Sequence, residues 1–200
     1  MKQIRSTNTR RQILNAAVQE FCQAGYDNAS VAAICRVADV SKGAFYYHFS
    51  SKQNLFLAII EDWLGGVDQQ LASTVETTDS VPDAIQNMAG TLSTAFEIAS
   101  GQLPMFLEFM VQASRDEEIW PKVVEPYRAY QQQIAKIIQL GIQEGSFSAD
   151  TDADNSAWVM ISLSVGLLLQ SVVDPQAENW ENVSRLGIQM IVRSMRGRTT

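Results

Sequence analysis

Residues 30–52 read SVAAICRVADVSKGAFYYHFSSK, a stretch in which two serines precede two short helical patterns. Ser30 and Ser41 are each suited to cap a short helix, because a serine hydroxyl can accept a hydrogen bond from a free amide of the first helical turn. Only Asp39 and Val40 separate the two predicted helices, which leaves room for a tight turn alone. Two short helices joined in this way predict a helix-turn-helix, whose second helix enters the major groove of DNA.

The second predicted helix, from Lys42 to His48, has two chemically different faces. Phe45 and Phe49 lie one helical turn apart and are expected to pack inward. The opposite side combines a lysine, a glycine and two tyrosines, whose ammonium and hydroxyl groups can reach phosphate oxygens and whose rings can contact thymine methyl groups. The sequence therefore predicts a DNA-facing surface made of Lys42, Gly43, Tyr46 and Tyr47.

His48 is the single histidine of the chain, and no acid or nucleophile is fixed near it in the sequence. We expect it to contact DNA or to pack at the end of its helix rather than to act in catalysis. The sequence has no Gly-rich phosphate loop and no Ser/His/Asp grouping. Its two cysteines, Cys22 and Cys35, form no CxxC motif and are expected to be reduced and to face inward. These features predict no enzyme activity, no metal and no cofactor.

Charge is distributed unevenly along the chain. The net charge is −7, which by itself is unusual for a protein that binds nucleic acid. Residues 1–52, however, contain seven Lys or Arg and three Asp or Glu, a net charge of +4, so the remaining residues carry −11. A basic head on an acidic body is expected when only one end of a protein meets phosphate, although so few charges could also be scattered by chance.

From Lys52 onward the sequence is helical in pattern, with no alternating pattern of useful length that would indicate a strand. Loops are predicted at residues 77–80, 99–104 and 146–154 and around Pro175. We therefore predict an all-α fold of about nine helices. The first residues carry no apolar stretch after their charges, so we expect no secretory signal and a cytoplasmic location.

The segment 155–173 approaches the length of a membrane span. Four serines and one glutamine interrupt it, aspartates flank it at both ends, and no Lys or Arg is present to set an orientation. We therefore expect no membrane insertion. An apolar helix of this kind is better explained as buried between its own core and a partner subunit.

Residues 41–55, SKGAFYYHFSSKQNL, resemble the signature of the TetR family of bacterial regulators, which runs roughly Ser-Lys/Arg-Gly-x-x-Tyr-x-His/Tyr-Phe-x-x-Lys-x-x-Leu. Residues 21–38, FCQAGYDNASVAAICRVA, are similar to the stretch that precedes this signature in the family, with Ser30 in place of the commoner threonine. Gln53 and Asn54 stand where acidic residues are frequent. In the N-terminal part of the chain many positions agree with the family in both residue type and spacing. In the rest of the chain the resemblance is limited to the order of the helices and to short matches such as Gly145-Ser146-Phe147.

The resemblance implies a homodimer that binds a palindromic operator in double-stranded DNA, usually as a repressor, and is released when a small effector enters the body. It implies a three-helix helix-turn-helix domain in residues 1–50, with the motif at about 30–49 and a linking helix from about 51. Residues 51–200 would form a larger helical domain for effector binding and dimerisation. The DNA-facing residues implied are Ser30, Arg36, Lys42, Gly43, Tyr46, Tyr47, His48 and Lys52. Ser30 and Lys52 would reach phosphate from the starts of their helices, where the helix dipole favours an anion.

The middle of the chain is rich in aromatic and methionine side chains, which as a group suggest an apolar, adaptable cavity between helices. Each of them taken singly is better explained by core packing. Glu108 and Gln112, one helical turn apart, could orient a ligand or lie at a solvated helix edge. The candidate set for a small apolar or amphipathic effector is Trp63, Phe96, Met105, Phe106, Glu108, Phe109, Gln112, Trp120, Tyr127 and Tyr130.

Two apolar stripes near the C-terminus are the candidate dimer interface. Two helices from each subunit would form an intermolecular four-helix bundle, the arrangement that the resemblance implies. The same stripes could instead be ordinary core. The candidates are Trp158, Ile161, Ser162, Val165 and Leu169 on one helix and Leu186 and Met190 on the next.

Three other functions stay open on the sequence alone. One is an activator, since the sequence says nothing direct about the sign of regulation. Another is a DNA-binding protein without an effector, which predicts a filled core in the body. The third is a helical enzyme that uses the central cavity, which the absence of a catalytic motif disfavours.

Overall fold

The computed structural model is all-α, which confirms the predicted fold class. It describes residues 2–174, 176 and 179–196, with side chains for all of these except residues 2–6, 67, 68, 70–72, 75, 76 and 88–101. Within this part of the chain there are eight helices and no strand: α1 (Lys2–Asn28), α2 (Val31–Val37), α3 (Lys42–His48), α4 (Lys52–Thr77), α5 (Val81–Ala113), α6 (Trp120–Gln143), α7 (Ala153–Val173) and α8 (Trp180–Met195). A kink divides α1, and counting its two segments separately gives nine.

Serine side chains begin the two short helices of the helix-turn-helix, as predicted. The hydroxyl oxygen of Ser30 accepts a hydrogen bond from the backbone N–H of Ala33, and that of Ser41 accepts one from Ala44, each at 3.1 Å. In the turn between them Asp39 has a φ of 53°, a conformation that aspartate tolerates better than most residues. The two helices and their tight turn therefore follow from the local sequence.

Gly25 interrupts α1, because its φ of 78° and ψ of 161° lie outside the helical region. A residue with a side chain is strained in this conformation, whereas glycine adopts it freely. The chain then completes one more helical turn, in which the N–H of Ala29 donates to the carbonyl of Gly25 at 3.2 Å. We call residues 26–29 the α1 end turn, and it leads directly into Ser30 and α2.

Helix α5 continues through residues 99–104, where the sequence predicted a loop. Pro104 lies inside this helix and removes one backbone hydrogen bond, which normally costs about 3 kcal/mol. Leu103, Met105 and Phe109 around it are buried, and burial of one such side chain contributes about 1.5–3 kcal/mol. The loop prediction was wrong here because packing outweighs the local signals that break helices.

The chain divides into two compact units, each of which is described by itself. The first contains Met1–Trp63 and Gly101–Glu125, and the second contains Leu64–Ser100 and Pro126–Thr200. The helix-turn-helix therefore belongs to the same unit as the C-terminal part of α5. The limits 1–50 and 51–200 expected from the sequence divide the chain differently and stay a prediction.

An aromatic cluster forms the centre of the first unit. The rings of Phe56 on α4 and Phe109 on α5 are stacked with their centroids 4.1 Å apart. Tyr26 meets both rings edge-on, at 5.2 and 5.1 Å. Such ring pairs stabilise a fold by about 0.5–1.5 kcal/mol each beyond the area that they bury. The cluster therefore ties the end of α1 to both long helices of this unit.

The second unit has an aliphatic core. Its buried members come from α5, α6, α7, α8 and the loop after α6 and include Val81, Ile85, Ile138, Phe147, Ala157, Ile161, Ile188 and Val192. Helices α7 and α8 approach closely at Gly187, where an added Cβ would lie 2.7 Å from the Cδ2 atom of Leu163. Glycine at this position therefore permits the close packing of the two helices.

Candidate nucleic-acid interface

Helix α3 presents its apolar and polar side chains on opposite faces, in the orientation that the sequence predicts. Phe45 and Phe49 are 0% and 4% exposed, whereas Tyr46 and Tyr47 are 55% and 78% exposed. The residues of α3 that are open to solvent on this outer face are Lys42, Gly43, Tyr46 and Tyr47. They offer an ammonium group, two phenol hydroxyls and two ring surfaces on a helix short enough to enter a groove about 12 Å wide.

Buried phenylalanine rings hold α3 in place. The ring centroids of Phe45 and Phe49 lie 6.0 Å apart. The guanidinium carbon of Arg10 on α1 lies 5.3 Å from the centroid of Phe49, within the range of a cation–π contact. These contacts anchor the inner face of α3, the helix that carries the exposed tyrosines.

His48 is half-buried at the C-terminal end of α3. Its ring centroid lies 5.0 Å from that of Tyr47 and 6.3 Å from that of Phe49. It therefore packs at the end of the helix, beside the most exposed tyrosine. Among the described residues no group of three or more His, Cys, Asp or Glu side chains is placed to hold a metal ion.

Ser30 and Arg36 are both exposed at the ends of α2. The hydroxyl oxygen of Ser30 accepts the capping hydrogen bond, and its O–H can still donate to a phosphate oxygen. Arg36 lies in the last turn of α2, where a cation is favoured by the negative end of the helix dipole. Both side chains are therefore accessible to a phosphate group.

Lys52 is directed into the protein. Its ammonium group donates to the backbone carbonyls of Tyr26, Asp27 and Ala29 at 2.7, 3.2 and 3.0 Å. An ammonium group has three N–H donors, so these bonds use all of them. Burial lowers the pKa of Lys52, and the nearby carboxylate of Asp27 opposes this effect. In this structure Lys52 therefore holds the α1 end turn, and the phosphate contact expected from the sequence stays a prediction.

Four residues expected to contact an effector contact α1 or α4 of the first unit: Met105, Glu108, Phe109 and Gln112. A carboxylate oxygen of Glu108 accepts a hydrogen bond from the backbone N–H of Tyr26 at 2.7 Å. The Nε2 atom of Gln112 donates to the carboxylate of Asp27. Phe109 is 1% exposed and stacks on Phe56. These four side chains are therefore engaged with α1 or α4, and their contact with an effector stays a prediction.

The remaining effector candidates are divided between the two units. Trp63, Phe106 and Trp120 lie in the first unit and are partly exposed. Tyr127 and Tyr130 lie in the second unit, where the Tyr127 ring lies 5.5 Å from that of Trp158 and Tyr130 packs against the aliphatic core. The side chain of Phe96 lies outside the described residues. The contact of these candidates with an effector stays a prediction.

The two cysteines differ in their surroundings. Cys35 is buried, as expected, and burial raises the pKa of its thiol, while Lys42 opposes this rise. Cys22 is exposed, contrary to the expectation, although its Sγ atom lies 3.9 Å from the sulfur of Met105. The prediction that Cys22 faces inward was wrong. Helical spacing shows which face of α1 a residue lies on, but it does not show whether another helix covers that part of the face.

Most of the predicted interface residues on α7 and α8 are accessible in the protomer. Val165, Leu169, Leu186 and Met190 are 51%, 44%, 56% and 63% exposed. Ser162 is exposed, and Trp158 is 37% exposed. Val159 and Val173, which were not among the predicted interface residues, are 55% and 76% exposed. Ile161 is 4% exposed and belongs to the core of the second unit, so its assignment to an interface is corrected.

Helix α7 combines this exposed apolar surface with a buried side. Within the described residues it is the helix that is long and apolar enough to cross a membrane by length and composition. Its other face, including Ala157, Met160 and Ile161, is part of the aliphatic core. Helix α7 therefore has one face in the core of the second unit and one apolar face that is accessible.

Two family models match the chain. One describes bacterial regulatory proteins of the tetR family and covers residues 13–59. The other describes the C-terminal part of BetI-type transcriptional repressors and covers residues 84–191, more than half of the chain. The first match contains the helix-turn-helix, and the second contains most of α5 to α8.

Similar proteins are named as regulators. The HTH-type transcriptional regulator UidR of Escherichia coli (strain K12) is 28% identical over 160 residues, 80% of each chain. The HTH-type transcriptional repressor DhaR of Mycobacterium sp. (strain GP1) is 24% identical over 173 residues, 86% of each chain. The crystal structure of the transcriptional regulator FadR from Bacillus subtilis, in complex with stearoyl-CoA, has the same fold, with a TM-score of 0.76 at 17% identity over 92% of this chain and 98% of that chain. The chain thus belongs to the TetR family of bacterial transcriptional regulators.

Proposed function

We propose that this regulator is a cytoplasmic repressor that binds a palindromic operator as a homodimer and inserts α3 into the major groove. The observation that carries the proposal is the exposure of Tyr46 and Tyr47 beside Lys42 on a helix whose Phe45 and Phe49 are buried. Ser30 and Arg36 add donors for the flanking phosphates. Repression is supported by the names of similar proteins, since both DhaR and the C-terminal family model are described as repressors.

The homodimer is supported by the exposed apolar side chains of α7 and α8. Val165 and Leu169 lie one helical turn apart on α7, and Leu186 and Met190 lie one turn apart on α8. Two such stripes can pair with their copies on a second protomer around a twofold axis, as in a four-helix bundle. A twofold dimer would present two copies of α3 to two half-sites about one helical turn of DNA apart.

We also propose that a small effector binds in the second unit and lowers the affinity of the protein for DNA. Its candidate contacts in the second unit are Tyr127 and Tyr130, together with Phe96. The FadR structure, which holds stearoyl-CoA, supports the capacity of this fold to take an apolar or amphipathic molecule. A thermal-shift screen of apolar compounds distinguishes this proposal from effector-independent DNA binding, which predicts that none of them raises the melting temperature. A helical enzyme would instead turn over an added substrate.

The test of DNA binding is the double substitution Lys42→Ala and Tyr47→Ala. Because both side chains are exposed, their removal should leave the dimer and its melting temperature unchanged. Affinity for a duplex that the wild-type protein selects should fall at least about a hundredfold, since base or phosphate contacts contribute about 1–3 kcal/mol each. The control is Lys122→Ala, which removes an exposed lysine on α6 and should bind as the wild type does. Unchanged affinity of the double variant would contradict the proposed interface.

A further inference from the structure

The α1 end turn is held from two sides by charged side chains of other helices. On one side the carboxylate of Glu108 on α5 accepts a hydrogen bond from the first free N–H of the turn, that of Tyr26, at 2.7 Å. On the other side the ammonium group of Lys52, at the start of α4, donates to three carbonyls at 2.7–3.2 Å. The negative carboxylate thus lies at the N–H end of the turn, and the positive ammonium group lies at its carbonyl end, as the helix dipole favours.

The kink in α1 makes room for this carboxylate. A Cβ atom added to Gly25 would lie 2.9 Å from the Oε2 atom of Glu108, closer than such atoms approach. The φ of 78° and ψ of 161° at Gly25 are not helical, and the N–H of the next residue, Tyr26, is the one that donates to this carboxylate. The glycine and the glutamate are therefore fitted to each other, although they are far apart in the sequence.

A second polar contact lies one helical turn further along α5. Gln112 donates to the carboxylate of Asp27, within the same α1 end turn. Between the two polar contacts Phe109 is buried against Phe56 and Tyr26. Apolar contact is not directional, whereas a hydrogen bond weakens steeply when its angle changes. The two polar contacts therefore define the rotation and translation of α5 against α1.

The position of the α1 end turn determines the position of the helix-turn-helix. Only Ala29 and Ser30 separate the end of α1 from α2, and α3 follows after a tight turn. Helix α5 begins at Val81 and is continuous to Ala113, so Glu108 and Gln112 move with that helix. A shift of α5 would therefore be passed to α3 through this turn.

We propose that Glu108 is a positioning residue that fixes the helix-turn-helix to α5 and thereby sets the spacing of the two recognition helices in the dimer. The inference rests on the proposed function as a dimeric operator-binding protein. The proposed role needs no contact between Glu108 and DNA. It acts through the N–H of Tyr26, and Gln112 supports it through Asp27.

The experiment uses Glu108→Gln, which keeps the size of the side chain and removes its charge. The full-length wild-type protein first selects a duplex from a random-sequence pool, and the same duplex is then made with one base pair inserted or deleted between its half-sites. The wild-type protein should bind the altered duplexes about a hundredfold more weakly, and Glu108→Gln should reduce this discrimination to about tenfold or less, within the range of measured coupling between sites. The exchange of the Tyr26 amide with deuterium should also become faster.

The matched control is Ile13→Val, which removes one methyl group from a fully buried side chain of the same unit. It should lower the melting temperature but keep the wild-type discrimination between spacings. Wild-type discrimination in Glu108→Gln would overturn the proposal, and so would an equal loss of affinity for all duplexes, which indicates a structural role alone. If the wild-type protein selects no duplex, the proposed function as an operator-binding protein fails. If the wild-type protein selects a duplex but Glu108→Gln keeps the same discrimination between spacings, only the proposed role of Glu108 fails.

Discussion

Lys42 and Lys52 have the same side chain in the same basic N-terminal region, yet their ammonium groups have different surroundings. Lys42 is exposed on α3 beside two exposed tyrosines. The ammonium group of Lys52 is bonded to three backbone carbonyls and lies 4.4 Å from the centre of the Tyr26 ring. Positive charge near a helix-turn-helix therefore does not by itself identify a phosphate contact.

Substitution by methionine separates the two roles, because it keeps the aliphatic stem and removes the charge. Lys42→Met should reduce the slope of log affinity against log salt concentration by about one, as expected for one lost phosphate contact. Lys52→Met should leave that slope unchanged and lower the free energy of unfolding by about 2 kcal/mol, since hydrogen bonds from a charged group are lost. The measurements are a salt titration of DNA binding and urea unfolding. A reduced salt slope in Lys52→Met would show that this lysine does reach phosphate.

Among the helices, the close packing of α7 on α8 depends on a glycine, which has no side chain. The two helices approach at Gly187, where the methyl groups of Leu163 occupy the space that a Cβ atom would need. Gly65 on α4 is also inside a helix, but an added Cβ there meets nothing within 4 Å. The two glycines therefore offer a direct comparison between close packing and helix propensity.

Gly187→Ala should destabilise the protein by about 1–3 kcal/mol, because the extra carbon forces Leu163 to shift in a well-packed contact. Gly65→Ala should stabilise it by up to about 1 kcal/mol, because alanine is the better helix former and meets no obstacle. Urea unfolding of both variants measures the difference. Equal effects of the two substitutions would show that the contact between Gly187 and Leu163 is not tight.

At the scale of the whole molecule, the exposed apolar side chains of α7 and α8 govern the proposed assembly. A charge placed among them would have to be buried without a partner when two copies meet, which is costly. Val165→Glu should therefore weaken dimerisation at least about a hundredfold, as judged from the cost of burying an unpaired charge, and should also weaken operator binding. Analytical ultracentrifugation gives the dimer dissociation constant.

Val111→Glu is the matched control for this prediction. Val111 is 55% exposed, close to the 51% of Val165, but it lies on α5 in the first unit. The same substitution there should leave the dimer intact. A Val165→Glu variant that sediments as the wild-type dimer would place the interface on another surface.

From the sequence alone, the all-α class, the two serine caps and the division of α3 into an inner and an outer face could be predicted. All of these depend on residues within a few positions of one another, because a cap or a helical face is defined by local spacing. The family resemblance rested on the same stretch and was confirmed.

The surroundings of Lys52, Glu108, Phe109 and Ile161 became apparent only from the packing of the helices. The sequence placed the first at a phosphate, the next two at an effector and the last at a subunit interface. Their partners lie far away along the chain, as in the hydrogen bond between Glu108 and Tyr26, which spans 82 positions. Periodicity identifies the side of a helix that a residue occupies, but the groups that meet that side are chosen by how the helices pack.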